Sequence, residues 1–150
     1  MFLAQVAYTG FNRPLARRLG RNNRKNSENR GPSNMETMIV TGAGSGIGSA
    51  LTRRLLDENY HVSAWDTDPG DLAGANDENL DFCELDVRDA DAMSAAVAGA
   101  VGKTGKIAGL ATCAAIFHTR PFLDVTEDEW DSHLSINLKG TLLACQAVLP

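Results

Sequence analysis

Eight residues, Thr41 to Gly48, hold four glycines in the order Thr-Gly-Ala-Gly-Ser-Gly-Ile-Gly. A short apolar run, Met38, Ile39 and Val40, leads into them. Ile47, Ala50, Leu51 and Leu55 follow at helical spacing. The stretch therefore reads as strand, tight turn, helix. The start of a helix offers free N–H groups and a partial positive charge. A backbone can come close to an anion there only where no Cβ intervenes. Gly42, Gly46 and Gly48 supply those positions, and the doubly charged pyrophosphate of a dinucleotide is the anion they suit.

The next apolar run, Tyr60 to Trp65, ends in Asp66, about 20 residues beyond the glycines. A carboxylate at the end of a second strand accepts hydrogen bonds from an adenosine ribose. The spacing Gly42-x-x-x-Gly46-x-Gly48 resembles the short-chain dehydrogenase/reductase family, whose fingerprint is Thr-Gly-x-x-x-Gly-x-Gly. The resemblance covers residues 37–150. It implies an α/β fold, a Rossmann-like doubly wound parallel sheet of strand order 3-2-1-4, truncated before the remaining strands. Gly42, Ser45, Gly46, Ile47 and Gly48 would hold the pyrophosphate region and Asp66 the ribose. The 2′-phosphate of NADP wants Arg or Lys, yet Ser45 precedes Gly46 and Asp66, Thr67 and Asp68 end the strand. Carboxylates there repel a phosphate, so NAD is expected in preference to NADP.

Charge divides the chain. Residues 1–34 hold seven Arg/Lys and one Glu, a net of +6, whereas residues 35–150 hold seven Arg/Lys and 18 Asp/Glu, a net of −11. Residues 1–36 read as a disordered basic extension, and residues 37–150 as the nucleotide-binding domain, with Met35 a natural start. The acidic body argues against nucleic acid as a partner. No apolar run is long enough to span a bilayer. Cys83, Cys113 and Cys145 lie far apart in apolar contexts without a Cys-x-x-Cys pair. Reduced core thiols in a cytoplasmic protein are expected, with no metal. The Arg-rich arm leaves organelle targeting as the alternative location.

Along the body, the first helix is expected over Gly46–Glu58, ending at Asn59, and the second strand over His61–Trp65. His61 reads as a strand-end residue. Pro69 to Asn79 is polar, with one turn near Asp71 to Gly74. A strand over Leu80–Val87 ends in Asp86 and Val87, which match the Asp-aliphatic pair that touches adenine in the resembled family. A helix with the stripe Met93, Ala96, Val97, Ala100 and Val101 should stop at Gly102. After the strand Ile107–Ala111 the family's Asn-Asn-Ala-Gly appears as Thr112-Cys113-Ala114-Ala115, where only Ala114 matches. Ala115 would crowd the cofactor if that position required positive φ.

Thr126 and Glu129 form a capping box that opens a long helix. Trp130, Leu134, Leu138, Leu142 and Cys145 trace one face of it. Asn137, in Ser-Ile-Asn-Leu-Lys-Gly, resembles the family's helix Asn, which helps to position a proton-relay water. It is the one candidate catalytic residue. The family's catalytic Ser and Tyr-x-x-x-Lys are not matched: Tyr8 is followed at four residues by Asn12, and Tyr60 by Ala64. The resemblance implies hydride transfer between NAD(H) and a small-molecule alcohol/carbonyl pair, with this chain as the cofactor-binding half. The alternatives are a non-catalytic NAD-binding module or an inactive fragment. Four strands would leave the last as an open edge and the last helix uncovered, so homo-oligomerisation through residues 126–149 is expected.

Overall fold

The computed structural model describes residues 5–8 and 35–149. Among the described residues there are five strands: β1 (Gln5–Tyr8), β2 (Thr37–Thr41), β3 (His61–Asp66), β4 (Leu80–Glu84) and β5 (Ile107–Thr112). The helices are α1 (Gly46–Asp57), α2 (Ala90–Thr104), α3 (Glu127–His133) and α4 (Gly140–Val148). The sheet order is β1-β5-β2-β3-β4. β2 to β5 run parallel, and counted from β2 their order is the expected 3-2-1-4.

A parallel strand is covered on both faces, so it reads as continuously apolar. Adjacent residues then serve opposite cores. Ile39, Trp65 and Leu110 join Met93 of α2 and Ala144 and Val148 of α4 on one side. Val40, Ala64 and Ala111 join Leu55 of α1 and Leu72 on the other.

Several boundaries differ from the sequence expectation. Gln5–Tyr8, expected to be without structure, pairs antiparallel with β5, Gln5 opposite Thr112 and Tyr8 opposite Gly109. β5 is therefore not the edge of this sheet. The rest of the basic extension up to residue 34 lies outside the described residues. β4 ends at Glu84 rather than Val87, because Leu85 N–H donates to the Asp66 carbonyl and Asp86 starts a turn that closes at Asp89. α2 runs through Gly102 to Thr104, and Gly105, at φ +80°, caps it instead. The last turn is anchored from the sheet: Thr104 Oγ1 lies 2.6 Å from Thr37 Oγ1, and Lys103 Nζ 2.6 Å from Asp81 Oδ1. Asn59 ends α1 as expected, at φ +58°. The segment after β3 contributes one 3₁₀ turn, Gly70–Leu72.

The buried face of α1 is Gly48, Ser49, Thr52 and Leu55; of the expected stripe Leu55 is buried and Leu51 packs against the core, whereas Ile47, 58% exposed, and Ala50 face outward. The reason is proximity: a Cβ on Gly48 would lie 1.9 Å from the Gly42 carbonyl oxygen, so only small residues fit there. The expected long helix is likewise not uniform. Leu134–Lys139 is a π-helical segment between α3 and α4. Its apolar stripe faces outward, with Trp130, Leu134, Leu138 and Leu142 all exposed, while Gly140, Ala144 and Val148 face the core.

Candidate dinucleotide site

The glycine turn sits at the carboxyl ends of the parallel strands, where open α/β sheets bind ligands. Gly42 (φ +66°) turns the chain out of β2 against the segment after β5; a Cβ on it would lie 2.5 Å from Ala114 N. Thr41 Oγ1 accepts hydrogen bonds from the N–H groups of Cys113 and Ala114, each at 3.2 Å. This hydroxyl steadies the strand end where the resembled family would use Asn side chains. Among the described residues, Asn59 is the only non-glycine with positive φ, so Ala115 meets no such strain. Burial raises the pKa of the Cys113 thiol.

α1 starts at Gly46 after an extended Ser45. No side chain caps its first turn, and that turn carries no acidic residue. The first N–H groups and the positive end of the helix dipole are thus left for an anion. Gly46 has φ +51°, and a Cβ added there would meet nothing within 4 Å. Ser45 and Ile47 beside it are exposed. This open, uncapped, glycine-lined helix start fits the pyrophosphate of a nicotinamide dinucleotide.

Asp66 stands at the end of β3. Its Oδ2 accepts the Gly44 N–H at 2.8 Å and its Oδ1 the Thr67 N–H at 2.7 Å. Gly44, which the fingerprint leaves unspecified, is therefore part of the site, and the sequence reading omitted it. A Cβ on Gly44 would lie 2.1 Å from the Asp68 carbonyl oxygen. Leu85 N–H bonds the Asp66 carbonyl at 2.9 Å, which brings the Asp86–Val87 turn beside Asp66. The Asp86 carboxylate faces Arg88 in an ion pair whose hydrogen bonds hold it below its ordinary pKa. Val87 is buried. A Cβ on Gly140 would lie 2.6 Å from Val87 Cγ2, so the Gly of the Asn-Leu-x-Gly pattern makes room for Val87.

Asn137 is in the π-helical segment. Its Oδ1 accepts from Ile116 N–H and its Nδ2 donates to the Ile116 carbonyl, both at 2.9 Å. It clamps the backbone two residues beyond Ala114. The named residues thus form one continuous rim: Asp86–Val87 beside Asp66, Asp66 on Gly44, Gly42 on Ala114, and Asn137 on Ile116. Thr41 and Ile116 were missed in the sequence because they act through a hydroxyl and a backbone, which no side-chain pattern marks.

A family model described as short chain dehydrogenase matches residues 36–150. The probable galactose dehydrogenase GalD of Rhizobium meliloti (strain 1021) is 33% identical over 120 residues, 75% of this chain and 47% of that protein. The ligand-free aldohexose dehydrogenase of Thermoplasma acidophilum aligns with TM-score 0.68 at 28% identity, over 79% of this chain and 44% of its own. An actinorhodin polyketide ketoreductase variant with NADPH aligns with TM-score 0.71 at 26% identity, over 80% and 48%. The chain spans about half the length of the relatives it matches. With the glycine turn, the 3-2-1-4 parallel strands and the match over residues 36–150 in agreement, this chain belongs to the short-chain dehydrogenase family.

Proposed function

We propose that this chain binds NAD in preference to NADP and is the cofactor-binding half of an oxidoreductase acting on a small alcohol or carbonyl compound. The observation that carries the reading is the pairing of the uncapped glycine turn with Asp66. The turn offers N–H groups to the pyrophosphate, and the Asp66 carboxylate stands where the adenosine ribose would lie. Bound nicotinamide supplies the hydride chemistry, and the protein contributes binding and orientation. Gly42, Ser45, Gly46, Ile47 and Gly48 would hold the pyrophosphate region, Asp86 and Val87 the adenine, and Ala114 the adjoining face. Asn137 would keep the Ile116 segment in place and serve a proton relay.

Against NADP stand Asp66 and Asp68 at the strand end and a neutral Ser45 before Gly46. Titration of the purified chain with each nucleotide tests the reading. The unaltered chain is expected to bind NAD more tightly, and Asp66→Ala is expected to lose about tenfold or more in NAD affinity together with the preference. Unchanged affinities in Asp66→Ala would refute the ribose assignment.

A second reading is NAD binding without turnover. Turnover by the purified chain would sink it. A cytoplasmic location and a homo-oligomer built on the outward face of α3 and α4 complete the proposal, with organelle targeting through the basic extension as the other location. Neither a nucleic acid nor a membrane is part of it; among the described residues no helix is long and apolar enough to cross a membrane.

A further inference from the structure

The segment Asp66–Leu72 folds back over the glycine turn and grips the backbone of one residue, Gly44, from both sides. Gly44 donates its N–H to Asp66 Oδ2 at 2.8 Å, and its carbonyl accepts the Asp71 N–H at 2.7 Å. The approach is so close that a Cβ on Gly70, at φ +46°, would lie 2.2 Å from the Gly44 oxygen. The far end of the segment is fixed twice more. Ser49 Oγ, from the buried face of α1, donates to Asp71 Oδ2 at 2.9 Å, and the Arg53 guanidinium donates to the Asp71 carbonyl. Leu72 is buried in the core beside Leu55.

We infer that the Ser49–Asp71 hydrogen bond is a latch that positions the ribose-binding carboxylate and sets the choice between NAD and NADP. The inference rests on the proposed nucleotide reading of this site. With the latch shut, the Asp66 carboxylate is oriented from two sides by the Gly44 and Thr67 N–H groups. Oδ1 also takes longer contacts from Thr67 Oγ1 at 3.5 Å and the Asp68 N–H at 3.4 Å. Each carboxylate oxygen has about two acceptor sites, so the capacity left for the hydroxyls of a ribose lies on Oδ2, beside the Gly44 N–H. The same latch holds Asp68 and Asp71 at the strand end and keeps Arg53 on the Asp71 carbonyl. A 2′-phosphate entering there meets three carboxylates, and the nearby cation is already engaged. Ser49 and Asp71 are positioning residues: they act through the loop that carries Asp66. With the latch open, the loop gains freedom, Asp66 loses its fixed aim and Arg53 is released toward a phosphate.

The test compares the full chain with Ser49→Ala, which removes the donor, and Asp71→Asn, which keeps an acceptor for Ser49. Amide exchange is measured without nucleotide, and NAD and NADP affinities by titration. In Ser49→Ala the Gly44 and Asp71 amides are expected to exchange about tenfold faster, with the NAD-over-NADP ratio falling several-fold and the melting temperature little changed. Asp71→Asn is expected to keep slow exchange. Exchange and ratio both unaltered in Ser49→Ala would overturn the latch while leaving the nucleotide reading intact. If the unaltered chain binds neither nucleotide, the reading of the site falls and the latch's role in cofactor choice falls with it.

Discussion

At the scale of single residues, His61 carries a pH dependence that arises away from the site. It begins β3, at the opposite end of the sheet from the glycines, and is 4% exposed. Its Nε2 lies 3.1 Å from Asp81 Oδ2 and its Nδ1 3.3 Å from Thr37 Oγ1. Asp81 is shared with Lys103 from α2, and Lys106 pairs with Glu36 just below. Burial lowers the imidazole pKa. Asp81 opposes that shift, and Lys103 adds to it. A base with a depressed folded-state pKa resists a proton that the unfolded chain accepts near pH 6.5. The stability His61 contributes is thus fully present above about that pH, and is lost as pH falls through the folded-state value. Thermal melts between pH 7 and pH 5 should fall more steeply for the unaltered chain than for His61→Gln. Parallel curves would show that His61 does not titrate in this way.

At the scale of elements, the π-helical segment matters most. Such segments are rare and recur at functional sites. This one carries Asn137, whose amide bonds both backbone groups of Ile116. Asn137→Ala should reduce unfolding free energy by about 2–3 kcal/mol, since two hydrogen bonds go and the Ile116 groups lose their partners. Urea unfolding would check this, and a change below about 0.5 kcal/mol would mean the clamp is not holding the segment. The capping box at Thr126 and Glu129 was legible in the sequence because capping is local, and both of its hydrogen bonds are present. The π segment was not, because no local pattern in the sequence marks it. Periodicity also showed that Trp130, Leu134, Leu138 and Leu142 share a face without showing which way it points. The inward face is made of small residues because α4 packs closely on β5 and α2. Likewise Gly102 looked like a helix stop until the Thr104–Thr37 contact carried α2 one turn further. The glycine turn and Asp66 meet, Gly44 N–H on Asp66 Oδ2, because strand, turn and helix lengths bring the two strand ends side by side. The loop over Gly44 has no periodic signal.

For the whole molecule, the outward faces of α3 and α4 and the turn before them form an apolar surface. Leu138 is 67% exposed, and Phe122, Leu123, Trp130, Leu134 and Leu142 are exposed too. Contiguous apolar surface of this kind favours association. The chain should therefore self-associate, and the double variant Leu138→Glu, Leu142→Glu should shift it toward monomer in sedimentation velocity. Monomeric behaviour of the unaltered chain at tens of micromolar would contradict this. The pairing of β1 leads to a different point, about chain connectivity. On one flank of β5, Tyr8 stands opposite Gly109; on the other, Thr37 stands opposite Ile107. The two chain ends that residues 9–36 must join are thus about two strand spacings, ~10 Å, apart. Closure entropy rises only logarithmically with loop length, so the size of that connection matters little to the sheet. β1 is held by antiparallel pairing along the flank of β5, which leaves that flank covered rather than an open edge.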